Sequence, residues 1–200
     1  MPRMRFCITA VLFVLLSFSF CCRIDRFPRE QCEHIIKIGD LVFRRGHSLS
    51  SRAVLFADDK GCYTHIGLVV DVGDSLMIAH TEPDGDNSFL KLETFEQFFS
   101  VDKSAKGAIC RFRLDSLQMS KVNKRALAQC GKKVQFDQKY NTESQMELYC
   151  TEFVWDVFKV LGWDISNGQR CHFSFGLIDS EVILPSHIYE SKGLETIFTY

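Results

Sequence analysis

Hydrophobic residues recur at helical spacing between residues 150 and 162. After Cys150, the apolar positions repeat every three or four residues at Val154, Val157, Phe158 and Leu161. Gly162 follows the last of them, as expected of a residue that ends a helix. The spacing therefore predicts an amphipathic helix whose apolar face packs against a core.

Cys150 occupies the first turn of this predicted helix. The free backbone N–H groups and the positive end of the helix dipole at that position favour a thiolate, the reactive form of cysteine. A cysteine close to Tyr149 and Phe153 also suits a purely packing role, because free cysteine is among the most buried residue types. The helix alone leaves both interpretations of Cys150 open.

Residues 65–72 and 75–80 form the clearest local pattern in the chain. The first run is apolar and β-branched, Gly73 and Asp74 are typical of a tight turn, and the second run returns as an apolar strand. An antiparallel hairpin about this turn places His65 and His80 at neighbouring strand ends. The two histidines then lie within about one register step of facing each other.

Shorter patterns predict further elements and the fold class. A buried strand is expected after a turn at Gly39 and Asp40, and a second strand is expected at 108–114. Helices are expected at 49–56, 92–99 and 120–131. Beyond Gly162 the pattern does not assign an order of elements. The predicted class is α+β, a small antiparallel sheet with helices packed to one side.

Residues 1–22 differ from the rest of the chain. Arg3 and Arg5 precede an uncharged, mostly apolar run that ends at Cys22, which is the layout of an export signal. The run is short for a membrane span, which needs about 20 apolar residues, although it would also allow association with a membrane. We expect a signal peptide or N-terminal anchor (1–22), a tether (23–35) and one domain (36–200), in the periplasm, in the cell envelope or secreted.

The composition narrows the classes of partner. The 24 Lys plus Arg nearly balance the 25 Asp plus Glu, for a net charge of −1, so electrostatics give no case for a nucleic-acid partner. The nine cysteines do not follow the spacing of a disulfide framework. We expect at most one or two bridges, with most thiols serving as small core residues. The sequence leaves the oligomeric state open.

The candidate chemistry is that of a cysteine hydrolase. Such an enzyme needs a base for the thiol, a group that orients the base, and N–H donors for the oxyanion. His65 and His80 supply a base and an orienting group if their rings hydrogen-bond. Zinc is the competing interpretation, with Cys62 and His65 joined by His80, Cys150 or the Cys171–His172 pair. Because no second closely spaced pair completes the usual zinc spacing, we predict a site without metal or cofactor.

Four motifs resemble the YiiX-like branch of the circularly permuted NlpC/papain-like cysteine hydrolases. They are Gly39-Asp-Leu-Val-Phe43, Ser48 to Ser51, Thr64-His-Ile-Gly-Leu-Val69 and Leu148-Tyr-Cys-Thr-Glu-Phe153. The order of the motifs is the signature, because the histidine precedes the cysteine, the reverse of papain. The resemblance implies a circularly permuted papain-like fold.

The resemblance also implies roles for individual residues. Cys150 would be the nucleophile and His65 the general base. His80 falls at the third polar position, where the related lecithin retinol acyltransferase branch also has a histidine. Glu82 is the alternative orienting group, because it lies two residues further along the same face of the strand.

Two further acidic residues belong to the matching motifs and are expected to support the site. They are Asp40 in Gly-Asp-Leu and Glu152 in Tyr-Cys-x-Glu. The activity implied is hydrolysis of amide bonds in cell-envelope peptides through a thioester. Lipid acyl hydrolysis or acyl transfer is the alternative, favoured by the eighteen phenylalanines and the Cys-His-His set, and a non-catalytic envelope binding module is the third.

Overall fold

The computed structural model of the chain describes residues 27–28, 32, 34–85, 88–140, 147–175 and 178–200. The strands are β1 (Leu41–Arg45), β2 (His65–Asp71), β3 (Leu76–Thr81), β4 (Leu90–Glu93), β5 (Lys106–Phe112), β6 (Cys171–Phe175), β7 (Ile178–Val182) and β8 (Leu194–Thr199). The helices are α1 (Leu49–Ala57), α2 (Phe95–Phe98), α3 (Ser116–Cys130), α4 (Cys150–Phe158) and α5 (Pro185–Tyr189).

Most of the strands belong to one antiparallel sheet. Its order in the described residues is β4-β3-β2-β1-β5-β8, and β6 and β7 pair separately as a two-stranded hairpin. The central strand β1 lies between β2 and β5. β8 returns from the C-terminal end of the chain and covers the free edge of β5. Antiparallel strands packed with helices confirm the predicted α+β class.

The two faces of the sheet bury different groups of side chains because successive strand residues point to opposite faces. On one face, Leu41 and Phe43 join the larger core together with residues of α3 and α4. On the other face, Val42 packs in a smaller core with Phe95 and Phe98 of α2. The sequence pattern placed all helices on one side, whereas α2 lies on the opposite face.

The hairpin of β2 and β3 has the predicted turn. Val70 pairs with Met77 and Asp71 with Leu76, so the turn is centred on Gly73 and Asp74. A positive φ of 101° at Gly73 is a conformation that favours glycine. The register makes His65 and His80 diagonal neighbours on one face of the sheet, as the sequence indicated.

Two sequence-based assignments are wrong in their details. The segment 92–99 is not one helix, because β4 continues to Glu93 and α2 begins only after Thr94, whose side chain caps it by accepting from the N–H of Gln97. The helix predicted at 120–131 begins earlier, at Ser116, with Asp115 as its cap. The sequence pattern did not predict the elements after Gly162, which are β6, β7, α5 and β8.

Part of the segment expected to be a tether packs on the smaller core. The ring of Phe27 stacks on that of Phe99 with 4.5 Å between centroids, and Cys32 is fully buried. The predicted signal or anchor at 1–22 lies outside the described residues. Within the part of the chain that the structure describes, each helix is too short or too polar to cross a membrane.

Candidate active site

Cys150 is held at the first residue of α4 by contacts on both sides of it. The Tyr149 hydroxyl accepts the Ile183 N–H at 2.9 Å, and the Thr151 hydroxyl donates to the Ile183 carbonyl at 2.5 Å. Phe153, fully buried in the larger core, anchors the apolar face of the helix. Residues 149 and 151 therefore tie the start of α4 to the segment that follows β7, with the thiol between them.

The environment of the Cys150 thiol favours its neutral form. Burial raises its pKa to about 11, and the backbone N–H groups of Ile66 and Thr151 oppose this shift without overcoming it. From the sequence, the start of the helix was expected to favour a thiolate. That expectation is wrong, because the loss of water around the sulfur outweighs the effect of the helix N-terminus. A base must therefore take the proton when the thiol reacts.

His65 and His80 form a hydrogen-bonded pair. The distance from His65 Nε2 to His80 Nδ1 is 2.9 Å, and the two rings are nearly perpendicular. The ring of Phe98 packs against both imidazoles, with centroid distances of 5.6 Å and 5.0 Å. The pair is consequently fixed by one hydrogen bond and by aromatic packing, and within the described residues no hydrogen bond engages Nδ1 of His65.

Glu93 extends this pair on the far side of His80. Its Oε2 lies 3.1 Å from His80 Nε2. The angle between them is poor for a hydrogen bond, and neither atom has another hydrogen-bond partner among the described residues. Glu93 could not be recognised from the sequence pattern, because residues 92–99 have helical spacing. The alternating run from Leu90 to Glu93 was the available signal for a strand that pairs with β3.

Charged side chains surround the histidine pair. Glu82 contacts Arg44 and lies 2.7 Å from Lys91, and Glu93 lies 2.9 Å from Lys103. Burial opposes ionisation of Glu82, but Arg44, His80 and Lys91 prevail and lower its pKa to about 2. The pKa of Glu93 is also lowered, because His80, Lys103 and Lys91 outweigh the effect of burial. Both carboxylates are therefore anions at neutral pH.

Burial keeps both imidazoles neutral. It is the largest cause of the lowered pKa of His65, and the cations Arg44, Lys91 and Lys103 add to it. The pKa of His80 is lowered by burial as well, although Glu93 opposes the shift. A neutral His65 can accept a proton at neutral pH, which a general base must do.

Cys150 and His65 line one cavity of about 760 Å³, including its open mouth. Arg44 and Lys103 contribute cationic groups to the wall, and Tyr140 contributes an aromatic ring. The structure thus brings the predicted nucleophile and base to one site, with His80 directly behind His65.

Of the other predicted residues, Glu82 lies beside the histidines, while Asp40 does not reach the cavity. The fully buried Asp40 is bound by Arg111 through two contacts of 2.7 Å and 2.8 Å, and it accepts the Lys37 N–H at 2.8 Å. Asp40 therefore joins the start of β1 to β5. Its expected support of the site is corrected to a structural role.

Glu152 supports the cysteine helix from below the cavity. It is buried, and burial followed by the nearby Asp137 raises its pKa to about 8, although the Tyr149 N–H lowers it. That N–H belongs to the residue before the helix, so Glu152 makes half of a capping box. Its contact is with the backbone that presents Cys150.

One group of side chains in the described residues has the types and spacing of metal ligands. Donor atoms of His65, His80 and Glu82 lie within 4.8 Å of one another. These donors are already engaged, because the two imidazoles bond to each other and Glu82 pairs with Arg44 and Lys91. The surrounding cations also repel a metal ion. The group is a poor fit for a resident metal.

Comparisons with known proteins identify the family of the chain. Residues 35–198 match the model of a family described as a permuted papain-like amidase enzyme, YaeF/YiiX, C92 family. A crystal structure described as metalloprotein yiiX from Escherichia coli O157:H7 is similar, with a TM-score of 0.68 and 20% identity over 82% of this chain and 97% of that one. No curated protein matches significantly. The chain therefore belongs to the permuted papain-like amidase family, and it is a hydrolase of the amidase or peptidase type.

Proposed function

We propose that the chain hydrolyses amide bonds of cell-envelope peptides with Cys150 as nucleophile and His65 as general base. The observation that carries this proposal is that Cys150 begins α4 in the cavity where His65 is backed by His80. The family of amidases supports the reaction class. The substrate class and the residue roles are our inference.

The contacts around the histidines define one consistent arrangement of protons. If His65 Nε2 donates to His80 Nδ1 at 2.9 Å, Nδ1 of His65 is the acceptor for the Cys150 proton. His80 Nε2 then carries a proton toward the Glu93 carboxylate at 3.1 Å. The Glu93 carboxylate thus stabilises, through His80, the positive charge that develops on His65. In other enzymes with a nucleophile and a base, a third polar group has the same effect on the base.

The reaction proceeds by acyl transfer. The sulfur of Cys150 attacks the amide carbonyl carbon while its proton moves to His65. The carbon–nitrogen bond then breaks, and the amine leaves with the proton from His65. Water next attacks the thioester, releasing a carboxylic acid and restoring the thiol. The backbone N–H of Cys150, at the first residue of α4, is suited to stabilise the oxyanion.

The proposed location follows from the N-terminal sequence. Arg3 and Arg5 followed by an apolar run are typical of an exported protein, so peptides of the cell envelope are the amide substrates within reach. The related yiiX protein is described as a metalloprotein. Our proposal contains no metal-dependent step, because the candidate ligands His65 and Glu82 are engaged by His80 and Arg44.

The test is release of amines from purified cell-envelope peptides, followed by mass spectrometry. We expect Cys150→Ser to abolish release, and we expect Cys62→Ser, a change at an exposed thiol, to leave it intact. An acylated Cys150 should be detectable as a thioester after rapid acid quenching. Equal release by the native protein and Cys150→Ser would refute the proposal, and ligand binding without release would favour a binding module.

A further inference from the structure

A second cavity adjoins Cys150 on the side of α4 that faces the β6–β7 hairpin. Its volume is about 330 Å³, including its mouth, and no charged residue is among its described lining residues. The side chains that give it its apolar character are Val54, Tyr149, Phe173, Val182 and Leu184. Most of these residues form the third hydrophobic cluster of the protein.

Cys150 lines both this apolar cavity and the one that contains His65. Val54, Thr64 and Tyr140 also belong to both walls, so the two cavities are neighbours. Among the described lining residues, His65, Arg44 and Lys103 belong only to the larger cavity. A carbonyl carbon bound at the sulfur is therefore next to both an ionic cavity and an apolar one.

We propose that the apolar cavity binds the acyl side of the scissile amide, and that it selects a short apolar group such as an aliphatic amino-acid side chain. This inference rests on the proposed function. The base must protonate the leaving nitrogen, so the amine side of the substrate lies in the cavity that contains His65. The acyl side is then directed to the apolar cavity, which Cys150 also lines.

The size of the cavity distinguishes two substrate classes. The apolar cavity measures about 330 Å³ with its mouth included, which is less than half of the 760 Å³ that the cavity containing His65 measures in the same way. We expect the smaller cavity to accept a short side chain more readily than a long fatty acyl chain. The apolar cavity thus favours a peptide over a lipid substrate.

The test uses chloromethyl ketones, which alkylate the nucleophile while their acyl side occupies its binding site. N-acetyl-leucyl and N-acetyl-asparaginyl chloromethyl ketones have side chains of similar shape and different polarity. A lauroyl analogue represents the lipid class. The rate of Cys150 alkylation, measured by mass spectrometry, is divided by the rate for iodoacetamide on the same variant. This ratio removes differences in thiol reactivity.

We expect the leucyl probe to react at least about tenfold faster than the asparaginyl probe, because an apolar pocket discriminates by about 10- to 200-fold per small group. Val182→Thr, which keeps the shape but adds a hydroxyl, should reduce that preference. Leu184→Ala provides a second variant that enlarges the cavity and should accelerate larger apolar probes. Val160→Thr is the matched control at an exposed position, with thermal unfolding recorded for each protein.

Equal rates for the leucyl and asparaginyl probes would overturn the inference, as would a preference that Val182→Thr leaves unchanged. A lauroyl probe that reacts fastest would assign the site to lipid acyl groups instead. Failure of the proposed function is a different result, because His65→Ala would then leave the reaction of every probe, including iodoacetamide, unaffected.

Discussion

The two sides of the proposed active site are built in opposite ways. On the side of the proposed base, strands β1 to β4 assemble His65, His80 and Glu93 within a network of ionic side chains, including Arg44. On the side of the proposed nucleophile, α4 presents Cys150 to both the ionic cavity and the apolar one. His65 is therefore positioned by polar contacts, whereas Cys150 is positioned by packing and by two hydrogen bonds between its neighbours and Ile183.

Both environments favour neutral reactants. Burial raises the pKa of Cys150 to about 11 and lowers the pKa of His65. Both shifts disfavour the charged forms of these side chains in the free protein. In the proposed reaction, charge develops during attack, when Glu93 behind His80 and the backbone N–H groups at the start of α4 can stabilise it.

Removal of the base should have the largest effect. His65→Ala should lower amide turnover by about 10²- to 10⁴-fold, the usual contribution of a general base, without abolishing substrate binding. His47→Ala is the matched control, since His47 is an exposed imidazole at the wall of the same cavity. Steady-state kinetics on both variants provide the measurement. Equal losses in the two variants would contradict the assignment of His65.

Asp40 belongs to a family motif but lies on neither side of the proposed active site. Its substitution tests whether such a residue affects turnover. Asp40→Asn leaves Arg111 without its charged partner, so we expect a loss of about 3 kcal/mol in the free energy of unfolding. Turnover per folded molecule should be unchanged, because Asp40 does not line the cavity. Urea denaturation and active-site titration measure the two quantities. A large loss of turnover in fully folded protein would show that Asp40 supports the active site.

Glu152 should link stability to pH on the nucleophile side. Its folded pKa of about 8 lies above the ordinary value of 4.5, so the folded state retains a proton that the unfolded state loses between these values. This group therefore lowers the free energy of unfolding as pH rises from 5 to 8. Glu152→Gln should gain up to about 2 kcal/mol relative to the native protein between pH 5 and pH 7. A difference in stability that is independent of pH would contradict this prediction.

Glu93 and Glu82 should differ, although both lie beside the histidines. Glu93→Gln removes the charge next to His80, and we expect about a tenfold loss of kcat with little change in KM, equivalent to about 1.4 kcal/mol. Glu82→Gln should mainly destabilise the fold, because it breaks the contact with the buried Arg44. Measurement of kcat and KM, corrected for the fraction of folded protein, distinguishes the effects of the two substitutions. A larger loss of kcat for Glu82→Gln would make Glu82 the orienting group.

Removal of metal provides a further check on the base side. Because His65, His80 and Glu82 are engaged with protein partners, dialysis against EDTA should leave both turnover and bound-metal content unchanged. Elemental analysis before and after dialysis measures the metal directly. Stoichiometric metal whose loss abolishes turnover would require a different site.

Local patterns predicted the parts of the site that depend on local structure. The turn at Gly73 set the register of β2 and β3 and thus the proximity of His65 and His80. The apolar spacing after Cys150 gave α4 and the position of the thiol. These features follow from neighbouring residues, so the sequence alone could indicate them.

The remaining features depend on distant contacts. Glu93 reaches His80 only because β4 pairs with β3, and the apolar spacing of 92–99 concealed that strand. The apolar cavity requires β7, whose position after Gly162 no local pattern specified. The predicted direction of the Cys150 pKa shift was wrong for the same reason, because burial by distant parts of the chain determines that shift.

The central claim is that His65 accepts the proton of Cys150. The most direct measurement is the rate of Cys150 alkylation by iodoacetamide between pH 5 and pH 9 in the native and His65→Ala proteins, with the exposed Cys62 as an internal reference. We predict that Cys150 reacts at least about tenfold faster in the native protein at pH 7, while Cys62 reacts equally in both. Superimposable pH–rate curves for Cys150 in the two proteins would contradict the claim.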